Sequence, residues 1–144
     1  MPLLDDYGNS KASIFYIAYE KLEQAADGTW KRVEPESRTV TFSFNGGPGS
    51  SSVWLHMGTL GPRRVVFGDE GEPLPPPAKL ADNEHSWLDL TDLVFIDPVS
   101  TGFSRANEGE NASQFHGLSE DAAAVADFIR LWISRNDRWL SPKY

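Results

Sequence analysis

The sequence predicts an α/β chain whose mixed sheet begins as an antiparallel meander and continues as strand–helix units. Three observations carry that expectation. Aromatic and β-branched stretches separated by turn signals fill the first third. A continuous apolar run closed by Asp97-Pro98 reads as a buried strand. A long segment of helical periodicity follows it, and hairpin strands succeeded by strand–helix alternation belong to α/β sheets with an antiparallel edge.

"SIFYIAYEKLE", residues 13 to 23, reads as the first strand. Asp27-Gly28 tolerates the positive φ of a tight turn, and a return strand follows around Trp30 to Val33. "RTVTFSF" alternates, with Val40, Phe42 and Phe44 on one face and Thr39, Thr41 and Ser43 on the other. "SSSVWLHMGTL" forms a short helix capped by Ser50 or Ser51 and stopped by Gly61-Pro62. Residues 68 to 80, rich in glycine, proline and acid, form a surface loop, as do residues 106 to 117. "DLVFIDP", 92 to 98, suits a central parallel strand, and its edge is expected to be unpaired and prone to association. Ser119 is expected to cap a helix carrying Glu120 and Asp121 in its first turn. Its apolar face is Val125, Phe128, Ile129 and Trp132, and it ends near Asn136, after which "RWLSPKY" breaks off where another strand would begin.

At 144 residues the chain is one domain in length. A net charge of −8 argues against nucleic acid and anionic membrane surfaces as partners. The absence of cysteine removes disulfides, thiolate metal sites and thiol nucleophiles. The first residues form neither a signal peptide nor a membrane span, so a soluble chain is expected, in a compartment the sequence leaves open. No cofactor and no metal cluster is implied.

"FNGGPGSSSVW", 44 to 54, places bare backbone between a strand and a helix, where free amides attract negative charge. Phosphate cradling and oxyanion stabilisation both use such loops. The phosphate reading is disfavoured, because no Gly-Lys-Ser/Thr follows and the glycine spacing is not G-x-G-x-x-G.

"FSFNGGPGSSSVW…LGP", then Asn83 with Ser86-Trp87, then "DLVFIDPVSTGFSRA" resemble three successive motifs of the serine carboxypeptidase family, peptidase family S10. The resemblance implies a partial α/β-hydrolase fold in which residues 1–144 are the N-terminal part of one domain, truncated before the nucleophile elbow. It implies a serine-type carboxypeptidase acting on peptides with a free C-terminal carboxylate. Carried over by position, Gly47 supplies a backbone N–H to the oxyanion hole. Asn45 binds the substrate's carboxylate with Gly46 beside it, and Trp54 either walls the pocket or packs in the core. Thr59 stands where eukaryotic members usually have glutamate, Ser50 where they usually have cysteine, and Ser100 where glycine is commoner.

No G-x-S-x-G pentapeptide occurs in these residues. "GFSRA", 102 to 106, is rejected as the elbow because a polar loop, not a helix, follows it. The nucleophile, acid and base are expected beyond Tyr144, leaving His56, His85 and His116 without triad partners and Asp97 as a carboxylate that satisfies loop amides. Alone, the chain is expected to be inactive. The alternatives are an acyltransferase of the same family and an inactive peptide-binding fragment. Proline iminopeptidases share the Gly-Gly-Pro-Gly loop but usually have histidine where this chain has Asn45.

Overall fold

The computed structural model describes residues 1–46 and 49–144. β1 (Pro2–Leu4) and β2 (Ser10–Ser13) form an antiparallel hairpin. Its turn is held by Asp5, whose Oδ1 accepts the Tyr7 and Asn9 amides at 3.0 and 2.8 Å. β3 (Tyr16–Tyr19) follows, then β4 (Leu22–Gln24) and β5 (Trp30–Arg32), a hairpin turned at Gly28 with φ 82° as the Asp-Gly pair predicts. β6 (Val40–Ser43) leads to α1 (Val53–Leu55), and β7 (Arg63–Val65) pairs with β8 (Leu80–Asp82). β9 (Asp92–Ile96), β10 (Arg105–Ala106) and α2 (Leu118–Arg135) complete the order.

The main sheet runs β3-β9-β6, antiparallel across the first pair and parallel across the second. The α/β character and the mixed sheet are therefore as expected, but the meander is only partial. β9 separates β3 from β6, because alternation reveals which face of a strand is buried and says nothing of its neighbours. Nor is β9 an open edge: all five of its residues are buried and it has a partner on each flank. Outside β6 a parallel ladder begins, with Val40 N–H donating to Pro142 O at 2.8 Å and Phe42 N–H to Tyr144 O at 2.9 Å.

The stretch 13 to 23 is not one strand. Distant side chains take its amides at the breaks: Phe15 N–H donates to Ser104 Oγ at 2.8 Å and Lys21 N–H to Asp92 Oδ1 at 3.0 Å. The three pieces consequently serve three sheets.

α2 covers one face of the main sheet. Phe128 meets Tyr16 edge-on at 5.2 Å and Trp132 meets Phe42 at 5.5 Å, over a core that includes Val40, Val94, Ile96 and Val125. Ile129 is only half-buried, and Ala124 and Ile133 share the buried face. The helix starts one residue before Ser119: Gly117 occupies the cap position without a side-chain bond, while Glu120 and Asp121 fill the first turn as expected. On the sheet's other face, His56 packs on Phe95 at 4.8 Å. Covered on both sides, β9 has the apolar character of a central strand.

At the N-terminal ends of β6 and β9 lies an ion network that the sequence does not announce. Arg138, with no exposed surface, donates from Nη1 to Asp92 Oδ2 at 2.7 Å, from Nε to Ser141 Oγ at 2.6 Å and from Nη2 to Arg38 O at 3.2 Å. Arg38 Nε reaches the other oxygen of Asp92 at 3.0 Å. Asp92→Ala would leave the buried Arg138 with only its longer contact to Glu20 at 3.4 Å as an ion pair, so urea denaturation should show a loss of about 3–5 kcal/mol. The double variant Asp92→Leu/Arg138→Leu, which removes the closest pair but leaves the half-buried Arg38 without its carboxylate, should lose less.

Candidate functional site

Ligands of α/β sheets lie beyond the carboxyl ends of parallel strands. Here β6 and β9 end side by side. From β6 the chain continues into Asn45 and Gly46, and from β9 into Pro98, Val99, Ser100 and Thr101. Together with residues 115–118 and Asp121, at the start of α2, these segments enclose a cavity of about 600 Å³. Apolar surface comes from Val99, Phe115 and Leu118, and polar groups from Asn45, Ser50, Ser100, Thr101, His116 and Asp121.

Asp97, 1% exposed, ties these walls together. Its Oδ1 accepts the Ser52 N–H at 2.8 Å, the Ser52 hydroxyl at 2.9 Å and the Ser51 hydroxyl at 3.0 Å, while Oδ2 accepts the Phe103 N–H at 3.1 Å. Burial pushes this carboxyl up. The donors from Ser52, Phe103 and Ser51 outweigh that effect and hold it below the usual 3.8. The expected role of Asp97, satisfying loop amides, is the one observed. Gly102 lies against it at φ 44°, where a Cβ would stand 1.8 Å from Oδ2. Ser104 Oγ, fully buried, donates to Asp97 O at 2.6 Å and accepts the Phe15 amide.

The segment after the glycine loop is held from below. Gly61 N–H reaches back five residues to His56 O at 3.0 Å, widening the turn after α1. The second motif secures it: Asn83 Nδ2 donates to Thr59 O at 2.7 Å and Gly61 O at 2.8 Å, and Ser86 Oγ donates to Leu60 O at 3.0 Å. Ser51, one of the two expected caps, accepts the Val53 N–H at 3.3 Å. His56 is buried, with Nε2 2.7 Å from the Tyr19 hydroxyl. Burial lowers its pKa, against a smaller upward pull from the Asp97 charge.

Of the expected site residues, Asn45, half-buried, and Gly46 line the cavity. Gly47 lies outside the described residues. Trp54 is 67% exposed and not among the cavity's lining residues. His85 is exposed beside Glu84. One pairing was missed: His116 Nε2 lies 2.9 Å from Ser100 Oγ on the cavity wall. Ser100 holds φ 71°, and its place at a position where glycine is commoner was the available signal.

The family described as serine carboxypeptidase matches residues 4–143. The chain is 34% identical over 115 residues to a pheromone-processing carboxypeptidase kex1 of Sclerotinia sclerotiorum, covering 79% of this chain and 16% of that protein. It is 29% identical over 133 residues to serine carboxypeptidase-like 33 of Arabidopsis thaliana, covering 90% of this chain and 24% of the relative. Its backbone is similar to the crystal structure of Kex1(Δ)p, a prohormone-processing carboxypeptidase from Saccharomyces cerevisiae. That match has a TM-score of 0.68 and 25% identity, over 96% of this chain and 27% of the other. The chain thus spans about a quarter or less of the length of these relatives.

The geometry around Asp97 makes two expectations measurable. Gly102→Ala combines a left-handed φ with a collision on Oδ2, and should cost about 2 kcal/mol or more in urea denaturation. Acid should weaken the fold in two stages. His56 is harder to protonate when folded, so its contribution is full above 6.5 and is lost as pH falls from there through its lower folded value. Asp97 contributes above 3.8 and loses that contribution as pH falls through its still lower folded value. Stability followed against pH should lose the upper stage in His56→Gln and the lower stage in Asp97→Asn.

Proposed function

This chain belongs to the serine carboxypeptidase family, and from that membership we propose that it is the N-terminal part of a serine-type carboxypeptidase. Residues 1–144 form the opening part of one α/β-hydrolase domain, to which the ladder begun at Pro142–Tyr144 adds its next strand. The complete protein hydrolyses the last peptide bond of substrates with a free C-terminus. A serine outside these residues attacks the carbonyl carbon, the Gly47 N–H helps to hold the oxyanion, and water releases the acyl-enzyme. Asn45, with Gly46 beside it, holds the carboxylate of the departing residue.

One observation carries this reading: Asn45 and Gly46 leave the end of a parallel strand directly into a cavity of about 600 Å³. A side-chain amide is a neutral donor, suited to a carboxylate because it adds no charge of its own beside the reacting carbonyl. The kex1 relatives are named carboxypeptidases, and removal of a C-terminal residue needs such a clamp.

The proposal places the bond-breaking groups elsewhere, so the purified 144-residue chain should not turn over a blocked dipeptide. It should still discriminate ligands. In calorimetric titrations a blocked dipeptide acid should bind roughly tenfold more tightly than its amide, the worth of a hydrogen bond to a charged group. Asn45→Ala should lower that ratio about threefold or more. Equal affinity of acid and amide for the unaltered chain would remove the clamp from the account.

A further inference from the structure

We propose that His116, oriented by Ser100, is a second donor to the terminal carboxylate, and that the cavity selects peptides whose last side chain is apolar. The inference rests on the Asn45 reading above and extends it to substrate class. A carboxylate has two oxygens with about four acceptor sites, more than one amide side chain can satisfy. Within the cavity, His116 is the other side chain able to present an N–H to an anion without carrying a competing acceptor on the same atom.

The local geometry favours this use. Ser100 holds φ 71°, a conformation that L side chains rarely adopt, and from it the hydroxyl reaches His116 Nε2 at 2.9 Å. With Nε2 accepting the hydroxyl proton, the ring's own proton is on Nδ1, leaving one donor of fixed orientation. Ser100 is therefore a positioning residue and His116 a binding residue. Val99, Phe115 and Leu118 offer apolar surface to a side chain, whereas Asp121, on the same wall system, repels a second carboxylate.

The test titrates the 144-residue chain with N-acetyl-Ala-Leu, its amide and N-acetyl-Ala-Glu. N-acetyl-Ala-Leu should bind best. His116→Ala should lower its affinity roughly threefold while leaving the amide unchanged, and His116→Gln, which keeps an N–H, should restore part of the loss. Ser100→Gly suits the backbone and so keeps the fold, and it should give a smaller loss in the same direction. Asp121→Asn should raise the affinity for N-acetyl-Ala-Glu selectively. If Asn45→Ala lowers the acid-to-amide ratio and His116→Ala does not, the inference fails while the clamp stands. If acid and amide bind equally, or neither binds, both fail together.

Discussion

A carboxylate taken out of water keeps its charge only where donors replace the lost hydration. Asp97 meets that condition with hydroxyl and N–H groups rather than a cation: two serine hydroxyls and the backbone amides of Ser52 and Phe103 converge on it. Those donors belong to different segments, one leaving the glycine loop and one in the turn after β9, so a single buried charge fixes their separation. Its own carbonyl binds Ser104, which in turn takes the Phe15 amide where β2 gives way to β3. The cavity walls at the carboxyl end of the sheet depend on this point, and so does the gap in the first strand.

The opposite end of the sheet uses different chemistry. Arg138, Asp92 and Arg38 form a buried ion network that closes the N-terminal ends of β6 and β9 on the segment arriving from α2. Charged partners are tolerable there because each guanidinium also donates to carbonyl or hydroxyl oxygens, which offsets part of the desolvation cost. At the cavity end, by contrast, neutral donors hold Asp97. One end of the sheet is secured by ion pairs, and the other by hydrogen bonds to a single buried carboxylate.

What the sequence revealed follows from the range of the forces involved. Periodicity located α2, β6 and β9, because burial of one face or both is written into neighbouring residues. The Asp27-Gly28 turn and the place of Asn45 and Gly46 just after a strand were likewise local. Strand order was not, since nothing within Tyr16–Tyr19 or Val40–Ser43 specifies that Asp92–Ile96 lies between them. The breaks at Phe15 and Lys21 depend on Ser104 and Asp92, far along the chain. Arg138 was legible only as the first residue of "RWLSPKY", where another strand would begin, because its partners are distant. Ser119 resembled a cap by residue type, but the helix begins at Leu118 with Gly117 in the cap position, where no side chain contributes a bond.

The same accounting of amides narrows where an anion could be held. Ser52 N–H is taken by Asp97, Val53 N–H by the Ser51 hydroxyl, and the Leu55 and His56 amides by Ser52 O. The amides of Ser52, Val53, Leu55 and His56 are therefore engaged inside the protein and are not available to a ligand. Gly47, proposed above as the oxyanion donor, lies upstream of these amides in the sequence. The acid at Asp97 suits this arrangement: a strong acceptor draws the Ser52 amide and the Ser51 and Ser52 hydroxyls inward, and so fixes the start of α1 against the turn after β9.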